Sequence, residues 1–454
     1  MFDRLKKILT NIDADYADLR YEKKKETKIG FNGPELTHVT VSSTDGFVLR
    51  LLTNGGFATL AFTKESDAEN ALRTARENAR LSAAHSPKPV RFAPAEATKD
   101  TFFPALDEDP RKIGLDEKIE LTKKYNAIAR DHPDIATTSI GYTETVREKH
   151  FASTEGAEIR EDLVTTSISG LITSRVGNLI QNARVAVGGS NGFRILRARE
   201  EEFEEKKKIV LELLKAQPVP GGVYNVVLNN SMAGVFTHEA FGHFSEADLI
   251  EDNPTMRKKM MLGAKLGTDI LNIIDDPTTS GQLGFYKYDD EGGRVVPVPL
   301  LRNGVLVGRL HSRRTAAEFG EAVNGHCVAE DYSYAPIIRM GTIFIQPGAE
   351  TIEGIFAKLG DGLYILDAKG GQTSGENFTF GAQYGYRVRE GKIAEMIRDI
   401  NLTGNLYQTM LNITAIADDF KLSQTGGCGK GQINIRSCHG APHILIHNVV
   451  IGGH

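Results

Sequence analysis

The sequence predicts an α+β protein of two domains, an α/β domain over residues 1–217 followed by a β-rich domain over residues 218–454. Three observations carry that reading. The chain has 454 residues, more than one hydrophobic core usually serves, since cores stop growing near about 250–300 residues. Its first half alternates helical and hairpin patterns, whereas its second half is mostly strand-like runs joined by tight turns. Between the halves, Pro218, Pro220, Gly221 and Gly222 end a charged helix and mark a boundary.

Taken in order, residues 2–12 suit a short helix. Strand-like runs follow, with turn signals at Asp45-Gly46 and at Asn54, Gly55 and Gly56. Ser66 and Glu69 have the spacing of a capping box. Behind them Ala68, Leu72, Ala75 and Ala79 recur at helical spacing. A proline-containing link leads to an amphipathic helix near residues 115–130, with Leu115, Ile119 and Ile128 among its apolar positions. Residues 135–192 are rich in Thr, Val, Ser and Ile and read as three or four strands. Residues 197–216 form a charged helix whose Glu-to-Lys pairs support a solvated face by a few tenths of a kcal/mol each. In the second half, residues 223–228 read as a strand and Ser231 as the cap of the helix after it. Asn303-Gly304 and Glu390-Gly391 mark further hairpins.

Composition excludes several classes. Lys and Arg total 54 against 59 Asp and Glu, a net charge of -5, which gives no general attraction for nucleic acid or an anionic membrane. The N-terminus carries charge on both sides of a very short apolar patch, unlike a secretory signal. The most apolar stretches elsewhere, such as residues 294–309, are interrupted well short of about 20 residues. Three cysteines cannot all pair within one chain and fit a reducing compartment. The expectation is a soluble cytoplasmic protein.

The sharpest chemical feature is HEAFGH at residues 238–243, on a predicted helix just after a strand. His238 and His243 can bind Zn²⁺, and Glu239 can take a proton from water at the metal. The familiar zinc-protease spacing is His-Glu-x-x-His, with ligands at i and i+4 on one helix face. Here they are at i and i+5, which leaves them roughly 140° apart on an ideal α-helix. Both reach one metal if the helix widens locally, as a π-bulge does, and Gly242 is a place where strained backbone is tolerated. The alternative is two histidines on different faces of an ordinary helix. A third ligand could come from Glu246, Asp248, His439, His443 or His447. Cys428, in the glycine-rich TGGCGKGQ at residues 425–432, is more distinctive, because a thiolate on bendable backbone suits Zn²⁺. The same segment mimics a phosphate loop but has Gly431 where Ser or Thr is needed. Cys327 and Cys438 read as small packing residues.

HEAFGH followed by FSEAD, with the late Cys-Gly-Lys in a glycine-rich turn, resembles the TldD side of the TldD/PmbA metalloprotease family. The similarity extends over nearly the whole chain, through ADLRYE at 17–22, TNGGFATLAF, RMGTIFIQPG at 339–348, GGQTSGENFTF at 370–380 and the closing VVIGG. The resemblance implies that the β-rich C-terminal domain holds the metal. It also implies zinc ligands at His238, His243 and Cys428 and a catalytic glutamate at Glu239. Family members include active subunits with this motif and partners without it, so this chain looks like an active subunit. It would work as a homodimer, or as a heterodimer with a motif-less PmbA/TldE-like partner, on peptides or unfolded polypeptides.

The expected chemistry is therefore zinc-dependent peptide hydrolysis, with Fe²⁺ or Co²⁺ also compatible with a His₂Cys site. Two other readings compete. One is a non-catalytic peptide-binding or regulatory subunit whose metal is structural, closed by a fourth ligand such as His439 or Glu246. The other is a DNA-linked regulator, against which the acidic balance and the absence of a basic stripe speak.

Overall fold

The computed structural model describes residues 1–10 and 12–452. Everything before residue 190 that is extended joins one sheet. Its strands are β1 (Tyr16–Asn32), β2 (Glu35–Thr53), β3 (Gly56–Phe62), β4 (Lys99–Phe102), β5 (Ile135–Ser153), β6 (Glu158–Val176) and β7 (Leu179–Gly189). The order is β3-β2-β1-β5-β6-β4, with β7 also paired to β6. Helices α1 (Phe2–Leu9), α2 (Ala68–His85), α3 (Leu115–Arg130) and α4 (Glu200–Leu213) cover it.

Period-two alternation sorts the residues of this sheet. Ile140, Tyr142, Ile168, Ile172, Val185 and Val187 pack with Tyr125 and Ala129 of α3 and with Phe203 and Val210 of α4. The intervening Thr143, Thr145, Thr165, Ser167 and Ser169 face a cavity on the other side. The Thr- and Ser-rich composition of residues 135–192 thus builds one dry face and one polar face.

Several local expectations fail for identifiable reasons. Asp45-Gly46 does not turn the chain: β2 runs straight through it, and the turn lies at Gly33-Pro34. Gly46 is there because the Tyr332 ring lies over it, and a Cβ would stand 2.3 Å from the ring. Ser66 does not cap α2, because a 3₁₀ turn over Glu65–Asp67 precedes the helix and moves the start to Ala68. The helix after the strand is capped by Asn229, whose side chain accepts from the Met232 amide, rather than by Ser231. The Asn54-Gly55, Asn303-Gly304 and Glu390-Gly391 hairpins form as read. Lys206, Lys207 and Lys208 all pair with carboxylates, but only Lys208 is solvated as expected: Lys207 is buried and Lys206 is largely covered against Asp367.

After α4 the chain enters β8 (Gln217–Pro218) and β9 (Gly222–Leu228), part of an eight-stranded sheet. Pairing runs from β9 to Ile444–Gly452, then Ile400–Asn405, Asn377–Arg389 and Gly362–Ser374, and returns to β9. Five strands therefore close on themselves around Val226, Leu228, Ile365, Phe380 and Leu402. A second sheet holds Ile273–Asp275, Val298–Arg302, Thr342–Ile345 and Cys438–Ala441 among its strands. Helix α5 (Asn230–Phe236) lies between the two sheets, tied at its start by Asn229 to Asp367.

The first sheet is joined to the rest by buried ion pairs. Asp290 receives Arg20 and Lys149, each at 3.1 Å, and Arg50 meets Glu291 at 2.5 Å. Arg147 pairs with Glu22 at 2.6 Å and its guanidinium also donates to the Ala329 carbonyl. Such groups are held because every charge has a partner; removing one leaves the others buried and uncompensated. Burial alone pushes the Asp290 carboxyl up, but Arg20, Lys149 and Arg147 outweigh it and hold the group well below the usual carboxylate range.

A group held low in the folded state stabilises the protein above its unfolded pKa, and that contribution is lost as pH falls through the folded value. Asp290→Asn is therefore expected to cost about 3–5 kcal/mol at neutral pH. The deficit should shrink as pH drops below about 4, where the unfolded aspartate takes up its proton. Urea unfolding of both proteins over a pH series measures this.

Candidate metal centre

Helix α5 does not continue as an α-helix. From Thr237 to Gly242 it widens into a π turn, and α-helical bonding resumes for one turn at His243–Ser245. The i→i+5 spacing of a π turn matches the His238–His243 interval, so both imidazoles reach one side of the helix. Their ring centroids are 5.3 Å apart at 87°. Widening displaces backbone groups from their regular partners. The Glu239 carbonyl accepts from the Thr373 hydroxyl at 2.9 Å, across from the Gly362–Ser374 strand.

Gly242 is present for a different reason from the one expected. Its backbone is ordinary right-handed helix, φ -55° and ψ -45°. What it supplies is room: a Cβ there would lie 2.0 Å from the Met340 sulfur and 3.0 Å from the Ile343 side chain. The π turn therefore packs directly onto the strand that follows Arg339.

The glycine-rich loop brings Cys428 to the same place from 185 residues away, its sulfur 3.5 Å from His243 Nε2. Glu239 lies on the same side, its carboxylate 3.6 Å from His243 Nε2. His238, Glu239, His243 and Cys428 each offer a donor atom, and these atoms all lie within 4.8 Å of one another. Two imidazoles, a thiol and a carboxylate form a donor set that suits Zn²⁺. His238 Nδ1 is buried with no hydrogen-bond partner among the described residues, as a nitrogen reserved for another purpose would be. The residues present therefore fit a metal ion.

The other sequence candidates have different places. Glu246, fully buried, bonds His243 Nδ1 at 3.1 Å. It thereby holds the ring with Nε2 facing Cys428, the arrangement found behind metal-bound histidines. Asp248 is held by Lys430 at 2.7 Å, and the same ammonium reaches Glu246 at 3.0 Å. His439 stands behind His238, ring centroids 5.9 Å apart, and stays outside the four-residue cluster. His443 is turned to Asp419 and Tyr364. Cys327 and Cys438 are buried and free. Sequence reading missed Thr373, Arg339 and Lys430, although Lys430 lies two residues from Cys428 and Arg339 opens one of the quoted segments.

Charge is finely set around the cluster. Burial pushes the Glu239 carboxyl above its ordinary range. Burial would lower His243, but Cys428 and Glu246 outweigh it and raise the group to about 10. Burial would raise the Cys428 thiol, but His243 and the Arg339 guanidinium bring it below the usual thiol range. His238 is driven well down, first by burial and then by His243.

His238 and Glu239 open onto a cavity of about 1130 Å³, walled opposite by the polar face of β1, β5, β6 and β7. Its near wall includes Lys369, Gly370, Gly371, Gly426 and Gly427.

Comparison with known proteins identifies the family. Models of the PmbA/TldA metallopeptidase domain 1, central domain and C-terminal domain match residues 17–79, 108–217 and 221–453. The chain belongs to the PmbA/TldD family. A metalloprotease of Synechocystis is 33% identical over 443 residues, 97% of this chain and 95% of the relative. A zinc metalloprotease TldD homolog of Saccharolobus solfataricus is 28% identical over 460 residues, covering both chains fully. Among solved structures, a Thermotoga maritima protein described as a candidate modulator of a DNA gyrase superposes with a TM-score of 0.82 at 19% identity, covering both chains fully. TldE of Thermococcus kodakarensis gives 0.80 at 17%, covering 100% of each chain. At those identities the PmbA/TldD likeness to solved structures concerns the fold. Among the described residues no helix is long and apolar enough to cross a membrane.

The packing of the π turn gives a test. Gly242→Ala must displace Met340, so it should destabilise the protein by about 1–3 kcal/mol and weaken zinc uptake. Urea unfolding and zinc titration of the purified variant check both.

Proposed function

We propose that the chain is a zinc-dependent metallopeptidase, the active-type subunit of a PmbA/TldD dimer, hydrolysing small or unfolded polypeptides in the cytoplasm. His238, His243 and Cys428 hold the ion, and Glu239 moves the proton. The observation that carries this reading is that the cluster opens, through His238 and Glu239, onto the large polar cavity. A structural metal would be closed on all sides. Of the two candidates for closing it, Glu246 is already committed to His243 and Lys430, and His439 lies outside the four-residue cluster.

When bound, the ion supplies Lewis-acid chemistry for peptide hydrolysis. The chain's own residues do the rest. Glu239 keeps part of its side chain, 24%, open to solvent, so it can receive a proton from the attacking water and pass it to the leaving amine. Its raised pKa brings it closer to the pH at which such transfer is efficient. Thr373 holds the Glu239 backbone, which aims the carboxylate.

The cavity also supports an extended peptide as substrate. Beyond Asp367 the Gly362–Ser374 strand pairs with Asn377–Arg389, while β9 pairs with it only over Leu363–Ile365. The other edge of Ala368–Gly371 is therefore available beside Glu239 and lines the cavity. Main-chain pairing along such an edge selects an unfolded backbone rather than a side-chain sequence. The dimer partner is a second copy or a motif-less PmbA/TldE-like subunit.

Glu239→Gln is expected to retain zinc and to lose about 10²–10⁴-fold in peptide cleavage. Undiminished cleavage by the zinc-loaded variant contradicts the assignment. Cys428→Ser is expected to weaken zinc binding, measured by competition with a chromogenic chelator. Unaltered affinity would remove Cys428 as a ligand.

A further inference from the structure

Arg339 has one of the largest fully buried side chains in the protein, 0% exposed. Its main-chain amide donates to the His326 carbonyl at 2.8 Å. Its guanidinium is another matter: Nε, Nη1 and Nη2 all lack a hydrogen-bond partner among the described residues. A guanidinium carries five N–H donors and a permanent charge. Placing one in the interior without partners is among the least favourable arrangements a side chain can adopt. Something must offset it, and what surrounds it is the anionic side of the metal centre.

Glu246 is the nearest carboxylate. Its Oε1 lies 3.7 Å from Arg339 Nε and is itself buried without a hydrogen-bond partner among the described residues. Its Oε2 bonds His243 Nδ1 and meets Lys430. Arg339 is not among the residues lining the cavity.

We propose that Arg339 is the positioning residue of the metal centre, its guanidinium holding Glu246 in place behind His243. This inference rests on the reading of His238, His243 and Cys428 as ligands. By holding Glu246, Arg339 keeps the His243 ring turned with Nε2 inward, toward the Cys428 sulfur. A planar fork suits this task, because its donors have a fixed geometry where an ammonium serves as a point charge. Lys430 supplies the second cation, so Glu246 stays charged although it is fully buried.

The test uses Arg339→Met and Arg339→Lys in the full chain. Zinc dissociation constants come from chelator competition, and the thiolate-to-metal charge-transfer band from the Co²⁺-loaded protein. Loss of an outer partner typically weakens metal binding by about 10–100-fold. Arg339→Met is expected to show that loss with a weakened or shifted cobalt band. Arg339→Lys should recover part of the affinity, since it keeps the charge but not the fork. Urea midpoints of both variants report folding separately. Wild-type zinc affinity and an unchanged cobalt band in whichever variant folds would overturn the proposal. If the unmodified protein takes up no zinc, or if Glu239→Gln cleaves undiminished, it is the reading of the site that fails; normal behaviour there with a silent Arg339→Met fails this inference alone.

Discussion

Two side chains five residues apart point in different directions on an α-helix, and everything at this site depends on undoing that. One π turn, Thr237–Gly242, does so by adding a residue to the hydrogen-bonded ring. The widened turn is not free-standing. Asn229 caps α5 and ties its start to Asp367, Thr373 takes up the Glu239 carbonyl, and Met340 and Ile343 pack against Gly242. Apart from the Asn229 cap, these contacts come from segments distant in sequence. The local irregularity is thus stored in the closed five-stranded ring and the second sheet, which over-determine it.

Around that turn the charges are layered. Nearest the imidazoles lie the Cys428 sulfur and the Glu239 carboxylate, and behind them the buried Glu246. Lys430 and Arg339 stand behind Glu246. A buried carboxylate with two cations behind it and an imidazole in front stays ionised and fixed, which orients the ring it holds. On the opposite wall the first sheet presents a polar face, and the ion pairs of Asp290 and Glu291 fasten that sheet to the remainder of the chain.

Much of this was legible beforehand, and the exceptions share a cause. The HEAFGH spacing pointed to a local widening such as a π turn if both histidines serve one metal, because they stand roughly 140° apart on an ideal helix. The glycine-rich surroundings of Cys428 singled it out. The Asn-Gly hairpins announced themselves through turn chemistry. What stayed hidden depended on non-local contact. Asp45-Gly46 looks like a turn until the Tyr332 ring is seen above Gly46. Ser231 is an equally good cap by type, and only the chain path from β9 selects Asn229. Gly242 was read for backbone freedom and turned out to serve packing. Arg339 has no periodicity or motif chemistry to mark it; its meaning lies in burial and in the company of Glu246.

The account turns on a single ion held by two imidazoles and one thiolate at the π turn. X-ray absorption at the zinc edge of the loaded protein tests this most directly. The account predicts a sulfur scatterer at about 2.3 Å together with nitrogen ligands at about 2.0–2.1 Å, and loss of the sulfur shell in Cys428→Ser. A zinc environment of nitrogen and oxygen alone in the unmodified protein, or a sulfur shell that survives Cys428→Ser, would contradict it.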